Sequence, residues 1–155
     1  MAIPTLVKDF KEFLRSLNSN GVEYLLIGGY AVGIHGHIRA TNDLDVWVGT
    51  NRENAARLEG ALREFGFGTA DLTADLFLAP NGMVRMGVPP FRIEILTSIS
   101  GVDFESCYAE RETIRIEDLM VPVISLPRLR ENKAASGRLK DLADLESLPG
   151  GKGEI

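Results

Sequence analysis

The amino-acid sequence predicts a mixed-sheet α/β (α+β) domain, with a central mixed β-sheet flanked by helices and a helical C-terminus. Short apolar segments typical of strands alternate with segments whose apolar residues recur at helical spacing. Near the middle of the chain two strand-like segments, residues 83–88 and 91–96, follow each other without a helix between them. Alternating elements and an adjacent strand pair together indicate this fold class.

The N-terminal part of the chain predicts a helix followed by a strand. Within residues 1–20 the apolar side chains recur at helical spacing, and Asn20-Gly21 is a typical stop signal. These apolar residues are Leu6, Val7, Phe10, Phe13, Leu14 and Leu17. The apolar segment 22–27 follows as a short strand.

A glycine turn and a second strand come next. Gly28-Gly29 ends the first strand and opens a short helix. The segment 42–48 reads as an apolar strand that contains two aspartates. The stretch from Thr50 to Glu53 fits a capping box, so we expect another helix to begin there.

The second half of the chain predicts a strand pair, a short helix, a β-rich segment and a helical end. Two prolines separate the strands 83–88 and 91–96, which excludes one continuous central strand. The short helix falls within residues 100–111, the β-rich segment covers 112–126, and the helical segment covers 127–148. No internal repeat or long linker interrupts the chain, so we expect residues 1–155 to form one domain.

Composition excludes several classes of protein. The net charge of −5 argues against a surface dedicated to coating nucleic acid, so any nucleic-acid contact would be local. Cys107 is the only cysteine, which excludes an internal disulfide and a multi-cysteine metal site. No apolar run approaches the roughly 18 residues of a membrane span, so we expect a cytoplasmic protein without membrane contact.

The two aspartates of segment 42–48 are the first candidates for chemistry. Because side chains alternate along a strand, Asp43 and Asp45 share one face, with Cα atoms about 7 Å apart at ~3.3 Å per residue. If strand 91–96 lies beside this one, Glu94 joins them. Oxygen ligands suit Mg²⁺ or Mn²⁺. The alternative is that Asp43 caps a turn and Asp45 is a solvated strand residue, and the spacing leaves both interpretations open.

The glycine turn and a nearby arginine are candidates for phosphate binding. Backbone N–H groups after Gly28 and Gly29 are suited to hold a phosphate, although a tight turn that needs glycine explains the same residues. Neither the dinucleotide-binding nor the P-loop pattern is present. Arg39 precedes Asp43 by four residues, where it would pair with a carboxylate or contact a phosphate.

The C-terminal helical segment predicts one apolar and one charged face. Leucine recurs at every third position, which indicates a buried stripe made of Leu139, Leu142, Leu145 and Leu148. On another side Lys133, Lys140 and Asp144 fall in line, and Lys140 and Asp144 are spaced for an i, i+4 ion pair.

Taken together, "LLIGGYAVGIHGHIRATNDLDVWV" resembles the signature of the nucleotidyltransferase-fold superfamily, and "FRIEIL" falls where that family places its third carboxylate. The stretches "GVPPFRIEILTSISGVDF" and "NKAASGRLKDLADLESL" are similar to small bacterial AbiEii-like, or minimal, nucleotidyltransferases of toxin–antitoxin and abortive-infection systems. The resemblance covers residues 22–148.

The resemblance implies a metal-dependent transfer of a nucleoside monophosphate from an NTP, such as ATP, to an acceptor hydroxyl on RNA, protein or a small molecule. Asp43, Asp45 and Glu94 would be the catalytic residues and would ligate Mg²⁺ or Mn²⁺. Gly28 and Gly29 would cradle the triphosphate. The remaining candidates at the nucleotide are Arg39, Lys133, Arg138, Lys140 and Asp141.

Two features depart from the family pattern, and they keep other functions open. Many relatives have serine at the position of Gly29, and the third acid is Glu94 where aspartate is commoner. An inactive member of the fold is one alternative. A second is a non-catalytic, antitoxin-like protein that acts by binding a cognate toxin or other partner.

Overall fold

Six strands form one mixed sheet in this computed structural model, which describes residues 6–68, 71–87 and 90–150. The strands run in the spatial order β3-β4-β2-β1-β6-β5. Their bounds are β1 Tyr24–Ile27, β2 Asp43–Val48, β3 Met83–Met86, β4 Arg92–Leu96, β5 Glu112–Ile116 and β6 Leu119–Val123. The predicted end of the third strand at Val88, and the proline at position 89, lie outside the described residues.

Six α-helices accompany the sheet in the described part of the chain. Their bounds are α1 Lys8–Ser19, α2 Gly28–Ile34, α3 Arg52–Phe65, α4 Phe104–Ala109, α5 Leu126–Ser136 and α6 Leu139–Ser147. A 3-10 turn at Ala74–Phe77, which the sequence analysis did not predict, follows α3. None of the helices in the described segments is long and apolar enough to cross a membrane.

The strand pairing explains why the sheet is mixed. The central strand β1 runs antiparallel to β2 and parallel to β6. On the other side of β2, β4 is parallel to it, and the edge strand β3 is antiparallel to β4. β5 forms a hairpin with β6 at the opposite edge. The predicted mixed sheet, flanked by helices and followed by a helical C-terminus, is confirmed.

The apolar core is built from alternating strand residues and the inner face of α1. Leu44, Val46 and Val48 are fully buried, as the alternation along β2 predicts. The predicted apolar face of α1 is buried too, and α1 packs against α3. The side of β2 that carries Asp43 and Asp45 is therefore left for a site.

The N-terminus of α3 differs from its prediction. The expected capping box from Thr50 to Glu53 does not form. Instead Asn51 is the N-cap, and its side-chain oxygen accepts a hydrogen bond from the Asn54 backbone N–H at 2.8 Å. Glu53 pairs with Arg57 one turn later, so the helix begins where predicted but with a different cap.

The C-terminal helical segment is two helices, and its predicted leucine stripe is only partly confirmed. Leu148 is buried as predicted, but the prediction is wrong for Leu139 and Leu142. Gly137, at a φ of 67°, ends α5 in the left-handed region and redirects the chain before α6 begins. Leu139 is 86% exposed and Leu142 is 40% exposed, whereas Asp141 and Asp144 are each 3% exposed. The acidic side of α6 faces inward because Asp141 and Asp144 form ion pairs there with Lys133 and Arg39.

Candidate active site

A cavity of about 650 Å³ lies over the face of the sheet that carries Asp43 and Asp45. Every residue that the sequence predicts for the metal and nucleotide site lines this cavity. These residues are Gly28, Gly29, Arg39, Asp43, Asp45, Glu94, Lys133, Arg138, Lys140 and Asp141. The fold therefore brings together residues that are far apart in the sequence, from Gly28 near the N-terminus to Asp141 near the C-terminus.

Sheet register places the acidic residues side by side. Asp45 on β2 is paired with Ile27 on β1 and with Glu94 on β4. Glu94 is paired in turn with Arg85 on β3. Asp43 precedes Asp45 by two residues and therefore points to the same face. The sequence-based condition for Glu94 to join the aspartates, that its strand lie beside theirs, is met.

Asp45 is held in an environment that disfavours its negative charge. Burial, hydrogen bonding with Glu94, and the charges of Glu94 and Asp43 raise the pKa of Asp45 to about 7, against the opposing charge of Lys140. Its Oδ1 atom is buried and has no hydrogen-bond partner among the described residues. A buried carboxylate oxygen without a partner is costly. The side of the cavity formed by Asp43, Asp45 and Glu94, here called the acidic wall, is therefore suited to receive a cation.

Glu94 already has one cationic neighbour, which the sequence analysis missed. Arg85 contacts Glu94 Oε1 through both Nε and Nη2 at 2.9 Å, and Arg85 also lines the cavity. The strand containing Arg85 was predicted, but its register against β4 was not. Alternation alone cannot reveal which side chains face each other across two strands.

The two glycines are required by close packing at the acidic wall. Gly28 has a φ of 67°, and a Cβ at this position would collide with the Asp45 carboxylate. A Cβ at Gly29 would lie 2.8 Å from Thr41 Oγ1 and 3.2 Å from Arg39 Nη1. Tight-turn geometry and contact with the site thus both explain the glycine pair. Contact of these glycines with phosphate stays a prediction.

The opposite wall of the cavity is a network of internal ion pairs. Lys133 Nζ lies 2.7 Å from Asp141 Oδ1 and 3.1 Å from Asp144 Oδ2. Arg39 donates to both oxygens of Asp144, at 2.8 Å from Nε and 3.0 Å from Nη2. Arg138 Nε donates to Asp141 at 2.8 Å. The i, i+4 pair of Lys140 with Asp144 does not form, because Asp144 is turned inward to Lys133 and Arg39.

This network ties the C-terminal helices to the rest of the domain. Lys133 is 5% exposed, and its charge is enclosed by Asp141 and Asp144. By contrast, the Arg138 side chain is 79% exposed. Lys140 is exposed and has no ion-pair partner within the described segments. Arg138 and Lys140 are therefore the cations most accessible to a bound anion.

The ion pairs predict a loss of stability in acid. Burial alone would raise the pKa of Asp141, but hydrogen bonds from Lys133, Ser136 and Arg138 lower it from 3.8 to about 2. Because the folded-state pKa is depressed, this carboxylate stabilises the fold fully above pH 4, and that contribution is lost as the pH falls through 2. We expect about 2 kcal/mol from this residue.

Urea unfolding between pH 7 and pH 2 measures this contribution. The unmutated protein should lose more stability across the acid range than Asp141→Asn, whose side chain does not titrate. Replacing Asp71, which is exposed and forms no ion pair among the described residues, by asparagine is the control and should leave stability at pH 7 within about 0.5 kcal/mol of the unmutated protein. Equal acid sensitivity of the unmutated protein and Asp141→Asn would contradict the assignment.

The acidic wall fits a cation that is shared with a substrate. Within residues 6–68, 71–87 and 90–150, no three His, Cys, Asp or Glu side chains are grouped closely enough to hold a metal ion by themselves. Mg²⁺ is commonly held by only one or two carboxylates together with substrate phosphates. The unpartnered Oδ1 of Asp45, with Asp43 on the same face, is consistent with that mode.

Comparison with known proteins supports the fold. A provisionally named nucleotidyltransferase from Thermotoga maritima aligns at a TM-score of 0.60 and 14% identity, covering 92% of this chain and 94% of that chain. An antigenic nucleotidyltransferase-like protein from Paracoccidioides brasiliensis aligns at a TM-score of 0.54 and 18% identity, covering 90% and 73%. No protein-family model matches the chain, and no curated protein sequence matches it. The predicted nucleotidyltransferase-like fold is confirmed, whereas the AbiEii-like subfamily stays a prediction.

Proposed function

We propose that this protein is a nucleotidyltransferase that moves a nucleoside monophosphate from an NTP to an acceptor hydroxyl with the help of Mg²⁺ or Mn²⁺. The observation that carries the proposal is that Asp45 lies beside Glu94 across the sheet, and that the buried Oδ1 atom of Asp45 has no hydrogen-bond partner among the described residues. Within a nucleotidyltransferase-like fold, an acidic wall facing accessible cations in one cavity suits a metal-bound triphosphate.

In the proposed reaction the acceptor oxygen attacks the α-phosphorus of the NTP. A new P–O bond forms, the bond to the β-phosphate bridging oxygen breaks, and pyrophosphate leaves. The acceptor proton passes to a carboxylate of the acidic wall. Glu94 is our candidate because it borders Asp45 and is half-buried at the cavity.

Asp43 and Asp45 would hold the divalent cation together with phosphate oxygens of the substrate. When bound, the cation neutralises phosphate charge and polarises the phosphorus centre. Glu94 is the third candidate ligand, and it would exchange its contact with Arg85 for the cation. Gly28 and Gly29 keep this wall free of side chains, which leaves room for the triphosphate.

The cation side of the cavity would bind and orient the triphosphate. Lys140 and Arg138 are exposed toward it, so we assign them the phosphate contacts. Lys133, Arg39 and Asp141 act indirectly in this proposal, because they are paired within the protein and largely buried. Arg138 also pairs with Asp141, but its side chain is mostly exposed. They position α6 and, with it, Lys140.

Incubation with each α-labelled NTP, Mg²⁺ or Mn²⁺, and cell lysate tests the proposal. We expect label to pass to a macromolecule or small molecule, with release of pyrophosphate. Asp43→Asn is the matched control and should transfer no label. Absence of transfer and of pyrophosphate release with all four NTPs and both metals would contradict the proposed activity.

A binding role is the second candidate, and one observation favours it. Leu139 and Leu142 expose apolar surface on α6, beside the cavity. A partner protein, for example the cognate member of a toxin–antitoxin pair, would cover these leucines. The substitution Leu139→Ser should abolish its binding. Co-purification with the product of a neighbouring gene, without any label transfer, would favour this function over catalysis.

A further inference from the structure

A second cavity, of about 730 Å³, lies next to the candidate active site. Ser98, which follows β4, lines both cavities. Trp47 lines the second cavity and follows Asp45 by two residues on β2, so the two side chains share one face of the sheet about 7 Å apart. A molecule in the second cavity can therefore reach the acidic wall without crossing the sheet.

One side of this second cavity is aromatic. Phe104 and Tyr108 on α4 stack with ring centroids 5.3 Å apart and an interplanar angle of 17°. Trp47 meets Phe104 edge to face, at 5.2 Å and 89°. The Trp47 side chain is 1% exposed, and its indole Nε1 has no hydrogen-bond acceptor among the described residues. A buried N–H group without an acceptor is costly, so this side of the cavity is incompletely paired in the described structure.

The charge of the second cavity has a single sign. Its lining includes three acidic residues, Glu23, Asp103 and Glu105, and no Lys, Arg or His within the described residues. Asp103 caps α4 by accepting a hydrogen bond from the Ser106 backbone at 3.0 Å. Glu23 and Glu105 have no ion-pair partner in the part of the chain that the structure describes. Arg111 covers Tyr108 at 4.1 Å but is not part of the lining.

The two adjacent cavities are therefore complementary to different charges. Lys140 and Arg138 make the first cavity suitable for a triphosphate, whereas the second would repel phosphates. Carboxylates beside an aromatic wall favour a protonated amine on a compound that also carries a ring or other apolar group.

We propose that the second cavity binds the acceptor, and that this acceptor is an amine-bearing hydroxyl compound with an apolar or aromatic ring. This inference rests on the proposed function for its reaction. The ring packs along Phe104 and Tyr108, next to Trp47, and the protonated amine lies near Glu23 and Glu105. The hydroxyl reaches past Ser98 to the acidic wall. There its oxygen bonds to the α-phosphorus, its proton passes to Glu94, and the bond to the leaving pyrophosphate breaks.

Fluorescence of Trp47, the single tryptophan of the chain, tests the site directly. The probes are 2-amino-1-phenylethanol, 1-phenylethanol and mandelate, which place a cation, no charge and an anion on one ring-and-hydroxyl frame. Titrations are performed without NTP or metal, so they do not depend on transfer. We expect the lowest Kd for the amine and the highest for mandelate.

Glu23→Gln with Glu105→Gln tests the charge contribution. Each substitution should raise the Kd of the amine about fivefold, and the pair about 25-fold, with little effect on 1-phenylethanol. Glu146→Gln removes an exposed carboxylate that lines neither cavity, and it should change nothing. Circular dichroism confirms that the variants are folded.

Three results would overturn the inference: no fluorescence change with any probe at millimolar concentration, equal affinity for all three, or an equal effect of the double variant on amine and alcohol. Failure of the proposed function would give a different set of results from failure of the acceptor assignment. In that case the amine binds with the expected charge preference, but no NTP yields a labelled product. If label is transferred but the three probes bind with equal affinity in the Trp47 fluorescence titration, the proposed function is supported and the assignment of the acceptor site is wrong.

Discussion

Replacing Asp45 by asparagine is expected to reduce nucleotidyl transfer by about 10³-fold. A metal ion that polarises a phosphoryl group contributes several kcal/mol to transition-state stabilisation, and each 1.36 kcal/mol corresponds to a tenfold change in rate. Asparagine keeps the shape of the side chain but removes the charge that would hold the cation. Initial rates of label transfer at saturating NTP measure the effect.

The control for this prediction is Asp71→Asn, which neutralises an exposed aspartate that does not line the cavity. Its rate should match that of the unmutated protein. If Asp45→Asn retains a rate within a few-fold of the unmutated protein, then Asp45 does not ligate a catalytic metal, and the assignment of the acidic wall is wrong.

The second large effect concerns stability. Lys133→Met is expected to lower the free energy of unfolding by about 3 to 5 kcal/mol, because it leaves Asp141 and Asp144 buried with one fewer cation between them. Methionine has a similar length and fills much of the same space, so the loss reflects charge more than volume. Urea unfolding at neutral pH measures it.

Lys140→Met is the matched control for Lys133→Met. Lys140 is exposed and pairs with no carboxylate among the described residues, so this change should leave stability within about 0.5 kcal/mol of the unmutated protein. It should instead weaken NTP binding measured with Mg²⁺ present. A strongly destabilised Lys140→Met, or a Lys133→Met as stable as the unmutated protein, would contradict the division between buried and accessible cations.

The strands and the acidic residues were predictable because their signals are local. Alternation along β2 separates Asp43 and Asp45 from the buried Leu44 and Val46, whatever the rest of the chain does. The glycine turn is local as well, since the positive φ of Gly28 admits few other residues. The sequence therefore contains enough information to place the acidic wall on one face of a mixed sheet.

The orientation of α6 was not predictable in this way. Leucine periodicity assumes that apolar residues turn inward, but Asp144 is drawn inward by Arg39, which lies 105 residues earlier in the chain. Asp141 and Lys133 belong to different helices separated by Gly137. Pairing of buried charges outweighs exposure of Leu139 and Leu142, and only the tertiary structure reveals which cations are present.

The contact between Arg85 and Glu94 and the second cavity were missed for a related reason. Each depends on which elements are neighbours. Arg85 faces Glu94 only because of the β3–β4 register. The aromatic wall forms only because Phe104, which follows a turn after β4, packs on Trp47. Neither neighbour relation follows from the periodicity of a single segment.

Thermal unfolding of the unmutated protein and Asp45→Asn, each in EDTA and with Mg²⁺ plus NTP, tests the central claim that the acidic wall holds a cation with its substrate. In EDTA the asparagine variant should be no less stable, because it removes repulsion among Asp43, Asp45 and Glu94. At a hundredfold excess over Kd, metal and NTP should stabilise the unmutated protein by about 2.7 kcal/mol. That corresponds to a rise in Tm of about 5 to 10 °C, and the variant should lose most of it. A variant clearly destabilised in EDTA, with no effect of metal and NTP on either protein, would show that these carboxylates are structural and would contradict the account.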